Sequence, residues 1–90
     1  MKKISVLGID VKCNNKREES LIGIIKRDIK NFYRIFKNKP YSIDDWYYRL
    51  SGNIESLYFI DLINYEDYKL MTDRFFNIYI FTRETAENNK

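Results

Sequence analysis

Ninety residues make a single domain the natural unit and exclude a multidomain machine. Hydrophobic residues at 44% and charged residues at 32% allow an ordered core, while 17% aromatics, chiefly Tyr and Phe, is a high share. With no histidine, one cysteine and three glycines, the chain lacks an imidazole base, a zinc ligand set and a glycine-rich phosphate loop, so most familiar enzyme sites are excluded.

In chain order, residues 3–12 alternate well enough for a first strand, with Leu7, Ile9 and Val11 on the face expected to meet the core. Asn14 and Asn15 then offer a turn and a helix start, with Glu18 and Glu19 in the opening turn where carboxylates suit the positive end of the helix dipole. From about Lys16 to Lys37 the apolar residues Leu21, Ile25, Ile29, Phe32 and Phe36 step by three and four, the period of an amphipathic helix. Lys39-Pro40 ends it, because a residue preceding proline is pushed out of the α region.

Ser42 can cap a second, short helix through Trp46 to Leu50, with Gly52 as its natural stop. Residues 55–63 and 75–83 are aromatic and β-branched in the manner of buried strands, and residues 64–74 between them read as a single helical turn and loop or as a longer hairpin end. The polar tail, residues 84–90, should fray. The expected fold is α+β in the order β-α-α-β-β: one domain over residues 1–90, a three-stranded sheet with the long helix packed on one face.

Cysteine usage and the N-terminus bear on compartment. A lone Cys13 cannot form an internal disulfide, which favours a reducing cytoplasm. The apolar run from Ile4 to Ile9 stops at Asp10 with no cleavage site after it, and no run approaches the roughly 20 residues of a membrane span. No membrane association is expected.

Two features stand out as candidate binding surfaces. Lys26, Arg27, Lys30, Arg34 and Lys37 fall on the helix face opposite the apolar stripe. Residues 1–40 carry 11 basic and 4 acidic side chains, net +7, against 5 and 9, net −4, in residues 41–90. Such a face is either a solvated helix surface or a footprint for phosphates or an acidic protein. The second feature is the run Trp46, Tyr47 and Tyr48. Exposed Trp and Tyr anchor protein interfaces or stack on bases, and the neighbouring Asp44 and Asp45 would repel a phosphate backbone, which favours a protein partner.

The stretch Leu7-Gly8-Ile9-Asp10-Val11 resembles the first strand of ribonuclease H-like nucleases, and a first-strand aspartate in so short a chain is similar to the small CRISPR-associated nucleases. The resemblance implies a divalent-metal nuclease in which Asp10 and Asp61, on neighbouring strands, would hold the cation. A strand-end carboxylate serves equally as a turn or salt-bridge residue, and neither a metal nor a catalytic residue is assigned. No cofactor is expected. Cys13, without histidine, reads as a small core residue rather than a nucleophile.

Ile, Lys, Asn, Tyr and Phe supply 46 of the 90 residues, which points to A+T-rich coding of the kind common in some bacteria and their phages and plasmids. The reading that follows is a small non-enzymatic binding module acting by protein–protein contact, of the type of a phage or plasmid inhibitor of host nucleic-acid machinery, the anti-CRISPR class among them. Its alternatives are a nucleic-acid binder using the basic helix face and a small metal-dependent nuclease.

Overall fold

The computed structural model describes residues 2–89. The chain begins with an antiparallel hairpin of β1, Lys2–Val6, and β2, Ile9–Cys13, paired from Val6 opposite Ile9 to Lys2 opposite Cys13. What reads as one strand from 3 to 12 is therefore two. The reversal sits at Leu7 and Gly8, whose φ values of 53° and 81° are both left-handed, as the two central residues of a tight hairpin turn must be. Gly8 takes that conformation without steric cost, whereas Leu7 replaces the Asn or Asp usual there and blurs the turn signal. The turn also changes which residues face inward: Val6 joins Ile9, Val11 and Cys13 in the core, with Ile4 half-buried beside them.

The long helix is where its period places it. α1 spans Lys16–Phe36, capped by the Asn15 side chain, which accepts from the Glu18 N–H at 2.9 Å, while Glu18 accepts from the Asn14 N–H. Its buried stripe is Ile22, Ile25, Ile29, Phe32 and Phe36. Ile22 takes the inward place expected for Leu21, which is 38% exposed.

Two further helices replace the expected short helix and two strands. α2 covers Ile43–Phe59 and α3 covers Tyr65–Asn88, so the element order is β-β-α-α-α and the sheet has only two strands. α2 begins after Ser42 but runs through Gly52. A mid-helix glycine costs about 1 kcal/mol relative to alanine. Beyond it lie Ile54 and Leu57, both fully buried, and burying such a side chain contributes about 1.5–3 kcal/mol. The stripe Ile43, Tyr47, Leu50, Ile54, Leu57 thus outweighs the break.

The stop comes later, at Asp61, which adopts φ 62°. The Asp61 N–H donates to Tyr58 O and the Leu62 N–H to Leu57 O, a Schellman closure with aspartate where glycine is usual. Asn64 then caps α3 by accepting from the Asp67 N–H at 2.8 Å. The inward stripe of α3 is Met71, Phe75, Tyr79, Thr82 and Ala86. It includes two hydroxyl side chains, Tyr79 and Thr82, and the small Ala86, and Phe76 and Phe81 are exposed on other faces, so hydropathy marks it poorly. Residues 84–88, expected to fray, continue this helix and bury Ala86.

The three helices pack against one another, and the hairpin lies on α1. Phe32 is the centre: its ring meets Phe75 edge-on at 5.2 Å and Phe36 at 5.0 Å, joining α1 to α3. α2 joins α3 through Tyr47, stacked on Tyr79 at 4.0 Å.

Candidate functional site

Surface grooves border the elements among the described residues. One of about 610 Å³ is lined by the hairpin, α1 and α3. β1 and the turn contribute Ser5, Val6, Leu7 and Gly8. From α1 come Lys26, Ile29, Lys30 and Tyr33, and from α3 come Asn77, Ile78 and Phe81. Tyr33 and Phe81 stack across it at 5.2 Å, and Phe81 is 58% exposed. Among the described residues no carboxylate lines this groove. Its far end is tied down by Arg74 of α3, whose guanidinium donates to the Leu7 carbonyl at 2.6 Å. A Cβ at Gly8 would sit 3.0 Å from that guanidinium, which would have to shift slightly, and the positive φ there favours glycine in any case.

The hairpin register says which backbone groups face the groove. A two-residue turn closes with Val6 and Ile9 as a hydrogen-bonded pair, and pairs alternate from there. Ser5 and Lys3 therefore turn their N–H and C=O groups outward, away from β2. Ser5 and Val6 point their side chains to opposite faces, yet both border the groove, which therefore meets the edge of β1 at its turn end. Among the described residues no backbone hydrogen bond from another element reaches that edge.

The eight residues singled out in the sequence fall in different places. Lys26 and Lys30 line the groove. Arg27 pairs with Asp28 at 3.3 Å, Arg34 is exposed, and the Lys37 ammonium lies 5.9 Å from the Tyr33 ring. Trp46 lies by Phe36 at the junction of α1 and α2, with the Arg49 guanidinium 4.6 Å from its ring. Tyr47 is spent on the α2–α3 seam, and Tyr48 is 70% exposed. The aromatic run thus points three ways, while two of the five cations converge with apolar surface.

Asp10 and Asp61 line the same groove, but not from neighbouring strands: Asp10 is on β2 and Asp61 follows the end of α2. With Asp67, Lys12 and Asn64 they border a second groove of about 460 Å³ along the edge of β2. Among the described residues, no three His, Cys, Asp or Glu side chains converge as metal ligands. A third groove, about 280 Å³, runs beside Trp46 and Phe36.

Two buried groups titrate abnormally. Burial, and then the carboxylates of Glu19 and Glu18, push the Cys13 thiol above its usual range, which keeps it protonated and poorly nucleophilic. Burial and the hydrogen bond to Asp44 push the Tyr79 phenol up as well, with Arg83 opposing. That phenol donates to Asp44 and accepts from Arg83 at 3.1 Å, a polar link from the start of α2 to the end of α3.

The groove residues that sequence reading passes over are Ser5, Leu7, Tyr33, Asn77 and Phe81. Gly8 was the available signal for the turn, and reading residues 75–83 as a strand hid Asn77 and Phe81. Comparison with protein-family models, curated proteins and solved structures finds no match.

Proposed function

We propose that this protein is a non-enzymatic binding module that acts by protein–protein contact, with the groove over α1 as its working surface and an acidic segment as its ligand. The observation that carries this reading is the placement of Lys26 and Lys30 against Ile29, Ile78 and Phe81 in a concavity without a carboxylate. Two ammonium groups select for negative charge, and the hydrocarbon lining supplies contact area that a purely electrostatic surface would lack. Leu7 adds to the case. It is held at positive φ, costly for a branched side chain, and its place in the groove wall gives that cost a function. A partner within a nucleic-acid-handling complex suits the small size and A+T-rich coding, and occupying it by contact would act as inhibition.

Affinity capture from a bacterial lysate, with and without nuclease, tests this when the wild type is run beside the double variant Lys26→Glu, Lys30→Glu. The expected result is a protein retained by the wild type after nuclease and lost by the double variant. Retention that vanishes with nuclease would instead make nucleic acid the ligand. Salt then separates the two further, because phosphate binding falls steeply with ionic strength and an interface with apolar contact retains more.

A further inference from the structure

The edge of β1 carries outward amides and carbonyls at Lys3 and Ser5, the groove opens on it at Ser5, and an unpaired edge is a template for another strand. We propose that the groove receives an extended acidic segment of a partner protein as an added strand, hydrogen-bonded to Lys3 and Ser5 of β1 and lying over Lys26 and Lys30 of α1. This rests on the groove being the working surface and names how it is used.

The dimensions suit it. Five residues of β1 extend over about 17 Å, and a neighbouring strand would sit about 4.8 Å away, between β1 and the α3 wall of Ile78 and Phe81. Side chains of an added strand alternate, so one set faces the floor, where Ile29 and Tyr33 offer apolar contact and Lys26 and Lys30 offer charge. The other set faces solvent. Arg74, clamped on the Leu7 carbonyl, closes the slot at the turn and limits the ladder to residues before it.

Charge identifies the occupant. Lys2 and Lys3 lie on β1 itself, so the strand carries two cations beside the two on the floor. A second copy of this chain would bring two such sets together and repel itself; lysines on edge strands commonly serve that protective role. A nucleic acid would satisfy the ammonium groups but not the alternating donors and acceptors of the edge. An acidic peptide satisfies both. The other edge of the hairpin is less suited to the same peptide, since Asp10, Asp61 and Asp67 border it against the single cation Lys12.

Binding of a synthetic peptide alternating Glu and Val over about ten residues tests the proposal, measured by fluorescence anisotropy beside oligothymidylate of matching charge. The wild type should bind the peptide, and Lys26→Glu with Lys30→Glu should weaken it by about tenfold or more. Ser5→Pro removes an outward N–H that makes no bond within the hairpin, a place where edge strands accept proline, and should weaken binding by about fivefold to tenfold. Should Ser5→Pro fail to fold, N-methylation of alternate peptide amides tests the same hydrogen bonds on the wild-type protein. Amide exchange at Lys3 and Ser5 should slow when the peptide is added. Equal binding of the N-methylated peptide with no slowing at Lys3 and Ser5 would overturn strand addition, yet a loss in the lysine double variant would keep the groove as the working surface. Binding of no acidic peptide overturns the proposal, and preference for oligothymidylate overturns both readings.

Discussion

The two edges of one hairpin face opposite chemistry. β1 and β2 have five residues each, share a register and both leave an edge unpaired. The edge of β1 faces Lys26, Lys30 and the apolar flank of α3, whereas the edge of β2 faces Asp61 and Asp67 at the α2–α3 turn. Backbone geometry is the same on both sides, so the chemistry of each edge is decided by the part of the helical layer beside it. A two-stranded ribbon has two liabilities for strand addition, and here opposite charges make them unequal. Under the proposal one edge would attract an acidic strand and the other would repel it, giving a partner a single place to bind.

The largest test removes the support common to both edges. Phe32→Ala should destabilise the protein by about 3–5 kcal/mol, because the fully buried ring joins α1, the floor beneath the hairpin, to α3. Against a total of roughly 5–13 kcal/mol for a chain of this length, that is a large share. Denaturant unfolding measures it, and an unchanged midpoint would show that the two edges do not depend on a common core.

Arg74→Ala acts on one end only. Loss of its hydrogen bond to Leu7 should cost about 1–2 kcal/mol at most, since the group is exposed, and should speed amide exchange at the turn while leaving the α2–α3 turn unchanged. Equal acceleration at Asp61 and Leu62 would contradict the separation of the two edges.

Alkaline pH divides the molecule differently. The Cys13 thiol lies under the hairpin and the Tyr79 phenol in the α2–α3 seam, and both have folded pKa values raised above their ordinary 9.0 and 10.0. The folded state therefore holds these protons more tightly than the unfolded chain. Their contribution is complete below about pH 9 for the thiol and about pH 10 for the phenol, and it is lost as pH rises through the folded values. Cys13→Ala should flatten the first part of the decline and Tyr79→Phe the second, with Tyr79→Phe also costing about 1 kcal/mol at neutral pH through the lost hydrogen bond to Asp44. A decline unaltered in both variants would place its origin elsewhere.

The smallest effect is a gain. Asp61→Gly puts the residue best suited to φ 62° at the end of α2 and should raise stability by about 0.5 kcal/mol. It also removes one carboxylate from the β2 groove, so it sharpens the charge comparison: binding of an acidic peptide at β1 should not change. A change there would mean that the two grooves communicate.

How much of this was legible depends on the range of the interaction. α1 was readable because its signals are local: Asn15 and Glu18 at the start, Pro40 past the end, and Ile25, Ile29, Phe32 and Phe36 in one period. The basic face followed from the same period. α2 and α3 were misread where local chemistry and packing disagree. Gly52 is a helix stop in isolation, and Phe75 to Arg83 carries the β-branched and aromatic residues of a strand. Each is overridden by a stripe that finds burial against distant helices. Asn64 with Asp67 was a helix-start signature as plain as that of α1, but the strand assignments on either side concealed it.

The sequence by itself determined one long amphipathic helix, its cap, four of its five core residues and a basic face of five side chains that includes Lys26 and Lys30. The tertiary structure alone decided that a hairpin would lie over that helix, that α3 rather than a third strand would stand beside it, and that Lys26 and Lys30 would meet Phe81 and the free edge of β1. Periodicity is a property of neighbours within about two helical turns, whereas the groove joins residues 5, 30 and 81, whose proximity depends on how Phe32 and Phe75 pack.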